Sequence, residues 1–251
     1  MYKRKIEYFL LEWKNDPDRK PLVIKGCRQC GKTSSVLEFA RKNYKNVIYM
    51  DFHEQKELCS LFEGSLQIDY LTVAISAAIP SARFEKGKTC LIFDEIQDCP
   101  QARSSLKFFK LDGRYDVICT GSLLGVNGYR TSDANYSVPV GFETIIDMNP
   151  MDFEEWLWVN GIQDSVIELL KTSLAEEKPV PKPIHDRMRQ LMLQYIVVGG
   201  MPEVVKKFFA THDINQVVAI QRNIVEEYKT DMVKYANHED RNRIRECFES
   251  I

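Results

Sequence analysis

Between the apolar run Pro21-Leu22-Val23-Ile24-Lys25 and a helically spaced segment from Thr33 to Asn43 stands Gly26-Cys27-Arg28-Gln29-Cys30-Gly31-Lys32-Thr33. Its spacing, G-x-x-x-x-G-K-[ST], is that of a phosphate-cradling loop. The run before it predicts a buried strand, and Val36, Leu37, Phe39 and Ala40 after it predict a helix. Strand, glycine loop and helix in that order are the context such a loop requires. Gly26 and Gly31 let the backbone curl so that its N–H groups meet phosphate oxygens. The helix that follows adds the positive end of its dipole. In this reading residues 26–34, Ser34 included, contact the nucleotide. Lys32 reaches the β- and γ-phosphates, and the Thr33 hydroxyl ligates Mg2+.

The remaining pattern repeats strand and helix. Lys3 to Lys14 predicts an amphipathic helix with Ile6, Phe9, Leu10 and Trp13 on one face. Strands are predicted at Asn46–Phe52, Thr89–Glu95 and Asp116–Ser122, with a fifth at Thr144–Met148. Helices are predicted at 54–63, 66–79 and 102–111, and the turn-rich stretch Gly125–Pro139 predicts a surface loop. Strands alternating with helices predict an α/β fold, a mainly parallel sheet covered on both faces. From Asp152 onward no strand is evident. A proline-rich stretch, Lys178–Pro183, cannot continue a helix, and helices follow at about 186–198, from Pro202, from Asn215 and at 241–251, with a break at Gly199-Gly200. The expected division is a core over residues 1–160, a linker over 161–183 and a helical region over 184–251.

Length and charge set bounds. The 251 residues fit one large domain or two small ones, and the net charge of −2 gives no global field that argues for nucleic acid or membrane. No apolar run spans a bilayer, and the basic start Met1–Lys5 is interrupted by Glu7, Glu12 and Lys14, unlike a signal peptide. A cytoplasmic protein is expected. The seven cysteines are scattered. Cys90 and Cys119 lie in predicted strands and read as core residues. Cys27 and Cys30 offer a redox or half-zinc reading, but a second ligand pair is lacking, and we read them as small residues at tolerant loop positions.

Asp94 and Glu95 close the third strand. Ligands of parallel sheets bind beyond the carboxyl ends of the strands, so both acids are expected to face the loop. Asp94 is the candidate Mg2+ ligand and Glu95 the candidate general base for an attacking water. Thr120 and Ser122, ending the fourth strand, are the candidate sensors of the γ-phosphate or that water, with Gln97 bridging to them. Arg103, Arg114 and Arg130 are candidate arginine fingers. The intervening strand Val47–Phe52 and the acid pair resemble the additional-strand ATPases; no N-K-x-D guanine motif is present.

Several further stretches recur in a fixed order: Leu91–Gln97, Ser104–Phe109, Thr120–Gly125, Ser137–Gly141, Pro150–Trp156 and Val198–Val204. With the loop they resemble the bacterial and archaeal AAA-like P-loop ATPases that carry an uncharacterised C-terminal domain. The resemblance covers nearly the whole chain. It implies ATP and Mg2+ at Walker A and Walker B elements, hydrolysis of ATP to ADP and phosphate to drive a conformational change, and an unidentified protein or nucleic-acid partner. Cys27 stands where many members have proline or alanine, and Phe142 where many have a basic residue. Members continue past a segment like Tyr228–Met232, so this chain, ending at Ile251, is expected to be a C-terminally truncated piece. Its last apolar stripe, Ile244, Cys247, Phe248 and Ile251, is then expected to favour self-association. A nucleotide-gated interaction module with slow or no turnover is the alternative to an ATPase. A small-molecule kinase fits less well, because Asp94-Glu95 would activate the water that a kinase must exclude.

Overall fold

The computed structural model describes residues 2–122, 141–235, 243, 246–248 and 250. The Gly125–Pro139 loop, Arg130 and most of the 241–251 helix, with Ile244 and Ile251 of its apolar stripe, lie outside these residues. The described chain forms two compact units. One is Ile6–Met148; the other joins residues up to Lys5 to those from Asn149 onward.

The first unit is built on five strands: β1 (Leu22–Gly26), β2 (Asn46–Asp51), β3 (Thr89–Asp94), β4 (Asp116–Ser122) and β5 (Thr144–Asp147). They pair in the order β2-β3-β4-β1-β5, every pair parallel. Every residue of β3 is buried, as a central parallel strand between two helical layers must be. Side-chain alternation sends consecutive residues to opposite layers. Leu91, Phe93, Val117 and Cys119 join one core, with Leu71 and Ile75 of α3 (Ile68–Ala78) and Leu106 and Phe109 of α4 (Pro100–Asp112). Cys90, Ile92 and Ile118 join the other, with Leu10 and Trp13 of α1 (Ile6–Asn15) and Val36, Phe39 and Ala40 of α2 (Lys32–Asn43). This is the three-layer α/β fold read from the sequence. Cys90 and Cys119 are buried core thiols. The expected helix at 54–63 is a 3-10 helix over Lys56–Phe62, seated by buried Leu58 and Phe62.

The second unit is helical among the described residues: α5 (Phe153–Val159), α6 (Asp164–Ala175), α7 (Lys182–Val198), α8 (Pro202–Thr211) and α9 (Ile214–Tyr235). Its core gathers Met151, Trp156, Leu157, Leu191, Val198, Val204, Val205 and Val217. The boundary therefore falls before residue 160, because α5 buries Trp156 and Leu157 against this unit's own helices. The stretch 161–183 holds α6, whose Ile167 joins the same core. The helix expected from 186 starts at Lys182, with Pro183 in its first turn, where a fixed φ is favourable. No described helix is long and apolar enough to cross a membrane.

The basic N-terminus belongs to this second unit through charge. Asp152 caps α5 in a capping box with Glu155. Arg4 Nε meets buried Glu155 at 3.1 Å, and Arg4 Nη2 donates to the Asn149 carbonyl at 2.7 Å. The Lys5 backbone N–H also donates to Glu155, at 2.6 Å. Both Arg4 and Glu155 side chains are 5% exposed. Breaking a buried pair from one side strands the other charge, at a cost of about 3–5 kcal/mol. Arg4→Met is therefore expected to lower unfolding free energy by that amount in urea titration. An unchanged midpoint would mean that Lys5 and the capping box alone satisfy Glu155.

Candidate active site

Strand β1 ends at Gly26 and α2 begins at Lys32. A Cβ on Gly26 would lie 2.1 Å from the Met148 carbonyl oxygen, so only glycine lets the loop leave the strand this close to the end of β5. Gly31 caps α2 at φ 96°, the left-handed region that glycine enters without strain. Gln29 also has positive φ, 61°. The first turn of α2 carries no acidic residue, so the helix N-terminus keeps its full attraction for anions.

Lys32 is 6% exposed, and its ammonium donates to the Gly26 carbonyl at 3.0 Å and the Cys27 carbonyl at 2.8 Å. Cys30 is buried with Val36 and Ile24, its thiol 3.4 Å from the Met148 carbonyl oxygen. Cys27 is half-buried against the same cluster. Neither is in a disulfide, and the described residues hold no cluster of metal-ligating side chains. Arg28 is half-buried, and Gln29 and Ser34 are exposed.

Strand order brings the other candidates in. Because β4 lies between β1 and β3, Thr120 and Ser122 stand between the loop and the acids, with Ser122 beside Gly26 in register. Asp94 is 3% exposed. Its Oδ1 accepts the Thr33 hydroxyl at 3.1 Å, the Thr120 hydroxyl, and the Glu95 backbone N–H at 3.2 Å. Its Oδ2 accepts the Tyr49 hydroxyl at 2.8 Å. Burial, followed by the Asp94 carboxylate, pushes the Tyr49 phenol well above its ordinary pKa, so it remains a donor. Glu95 leaves the strand in a left-handed conformation, φ 51°. The Gln97 amide donates to Glu95 Oε2. Gln97 thus serves Glu95 and not the sensors to which the sequence assigned it.

A hydroxyl and a carboxylate side by side are the hard oxygens that Mg2+ takes, in a set small enough to leave water and phosphate in its shell. Thr33 and Asp94 fit that ion. A buried lysine, a helix N-terminus and a glycine-permitted loop fit a polyphosphate.

The arginines are placed differently from expectation. Arg103 is 5% exposed and forms a two-pronged pair with Glu143, at 3.1 and 2.6 Å. Arg114 pairs with Asp112 and Asp69 and precedes β4, at the sheet end opposite the loop. Arg130 lies outside the described residues. Phe142 takes the Lys107 ammonium over its ring at 5.5 Å. Sequence reasoning missed Tyr49 and Asp51. The available signal was position: strand alternation puts both on one face of β2, and Asp51 pairs with Asp94 in register.

A model of the family described as AAA domain matches residues 18–157, and one described as a domain of unknown function (DUF8612) matches 189–251. No curated protein matches the chain. Among solved structures, a Walker-type ATPase of Pyrococcus abyssi is similar at 16% identity and TM-score 0.49, over 93% of this chain and 74% of that one. PCH-2 of C. elegans is similar at 9% identity and TM-score 0.45, over 91% and 69%. The Aeropyrum pernix ORC1 protein, solved in complex with DNA, is similar at 12% identity and TM-score 0.43, over 95% and 69%. The first of the two family matches takes in the loop, the acid pair and all five strands, over more than half of the sequence, and the chain belongs to the AAA domain family.

Proposed function

We propose that this chain binds ATP with Mg2+ at the β1–α2 loop and hydrolyses it to ADP and phosphate, driving a conformational change in the helical unit. The observation that carries the reading is the junction at Asp94, where the hydroxyls of Thr33 and Thr120 meet one carboxylate oxygen. Thr33 and Asp94 hold the ion, which when bound neutralises charge on the phosphate oxygens. Lys32 gives its ammonium to the β- and γ-phosphates in exchange for the loop carbonyls. Glu95 takes a proton from the attacking water, and Gln97 fixes one of its oxygens while it does so. Thr120 and Ser122 sense the γ-phosphate from β4. The cellular partner is a protein or a nucleic acid, met in the cytoplasm.

A second reading, a nucleotide-gated module with slow turnover, draws on two observations. Gln97 already occupies Glu95, and Arg103 and Arg114 are both committed to carboxylates. An arginine finger contributes about 10³–10⁵ in rate where it operates, so a partner that supplies one would set the rate.

Hydrogen bonds to charged groups contribute about 1.5–3 kcal/mol. Lys32→Ala is accordingly expected to weaken Mg·ATP binding by about 10–150-fold in calorimetry, and unchanged affinity and turnover would remove Lys32 from the site. Glu95→Gln separates chemistry from binding. Its affinity should hold while phosphate release falls about 10²–10⁴-fold, the usual contribution of a positioned acid–base group. Full activity in Glu95→Gln would disprove the assignment of the base, whereas a parent with no turnover above buffer would favour the slow module.

A further inference from the structure

The donors that meet the two oxygens of Asp94 set the plane of its carboxylate. Three donors converge on Oδ1: the hydroxyls of Thr33 and Thr120 and the N–H of Glu95. Oδ2 is met from the opposite side by the Tyr49 hydroxyl at 2.8 Å. Tyr49 stands on β2, the neighbour of β3, in register with Ile92, so it reaches along the strand direction to the acid two residues further on. It is braced in turn. Its hydroxyl lies 3.2 Å from Asp51 Oδ2, and Asp51 Oδ1 accepts the backbone N–H groups of His53 and Glu54 at 2.9 and 3.0 Å. The Phe52 N–H donates to the Asp94 carbonyl at 3.2 Å, which fixes the backbone beneath the pair. The single hydroxyl proton of Tyr49 goes to the nearer carboxylate, Asp94, while Asp51, held by the turn after β2, lies beside the same hydroxyl.

We propose that Tyr49 is a positioning residue for the ion: it pins Asp94 Oδ2 and so holds Oδ1 toward Thr33, in the orientation that Mg2+ needs. The proposal rests on the reading of Asp94 as the Mg2+ ligand. Tyr49→Phe would keep the ring packed on the core that includes Ile92 and remove only the hydroxyl. Asp94 could then rotate toward other donors, leaving the hydroxyl–carboxylate pair to be assembled when the ion arrives. Partners that orient a ligating carboxylate are worth about 10–100-fold in metal affinity.

The test measures affinity for a fluorescent ATP analogue, first in EDTA and then across a Mg2+ titration, in the parent, Tyr49→Phe and Asp94→Asn. Thermal midpoints are recorded for each. Tyr49→Phe is expected to keep its EDTA affinity and its midpoint while the half-saturating Mg2+ concentration rises about 10–100-fold. Asp94→Asn is expected to lose the Mg2+-dependent gain. An unchanged Mg2+ requirement in Tyr49→Phe, with Asp94→Asn defective, overturns the role of Tyr49 alone. EDTA affinity and midpoint falling together with the Mg2+ response overturn it too, and make Tyr49 a brace between strands. A parent that does not bind the analogue, or an Asp94→Asn variant with the parent's Mg2+ response, overturns the reading of the site and the role of Tyr49 with it.

Discussion

Asp94 is a carboxylate buried to 3% exposure at the end of a strand whose other residues are buried too. Burying such a group costs several kcal/mol unless hydrogen bonds replace its water. Here the replacements come from four places: the start of α2, the end of β4, the middle of β2 and the turn that follows β3. Together these donors let the acid be tolerated, so the acid ties together the elements that surround it. The strand order permits this. With β4 between β1 and β3, a threonine can enter the gap that a direct β1–β3 pairing would close.

A second constraint is close backbone approach, and it appears in each unit. Gly26 lets the β1 end lie against the Met148 carbonyl, and the Cys30 thiol points to the same oxygen. In the helical unit, a Cβ on Gly200 would sit 1.9 Å from the Met151 carbonyl oxygen, while the Met151 N–H donates to the Gly200 carbonyl at 2.7 Å. Tyr195 adds its hydroxyl to Met151 at 2.8 Å. The stretch in which the chain passes from one unit to the other is thus fastened at Met148 within the first and at Met151 within the second. Gly26 and Gly200, which read as turn and helix-break signals, are also where the backbone tolerates no side chain.

What the sequence made legible was local. The apolar strands, the loop spacing and the order of motifs all lie within short windows, and β3, buried on both faces, reads directly as a continuous apolar run. The pairs that escaped are distant in sequence and buried. Arg103 has the look of a surface residue on an amphipathic helix, yet it is buried against Glu143; nothing near either residue announces the other. Arg4 and Glu155 repeat the case, and with them the assignment of the N-terminus to the helical unit. Helix α6, which ends at Ala175, was hidden by its neighbours, because the prolines that follow within 178–183 made the whole stretch read as linker. Tyr49 was hidden by its chemistry: an aromatic in a strand is ordinary, and its hydroxyl acquires a role only once β2 and β3 are placed side by side.

The two adjacent acids show why the strand has to stop where it does. If Glu95 continued β3, alternation would carry its side chain to the sheet face opposite Asp94 and into a helical layer. Instead its φ of 51° turns the chain into the short helix Ile96–Asp98. A non-glycine residue held in that region stores a modest strain. The strain is compensated where the turn itself is used: the Glu95 N–H caps Asp94 Oδ1, and Gln97 comes back to meet the Glu95 carboxylate. One acid is thereby sealed among hydroxyls while its neighbour is left half-exposed on an amide. Under the proposed function, those separate surroundings suit two like groups, one residue apart, to different work: one to hold a cation, the other to stay within reach of water.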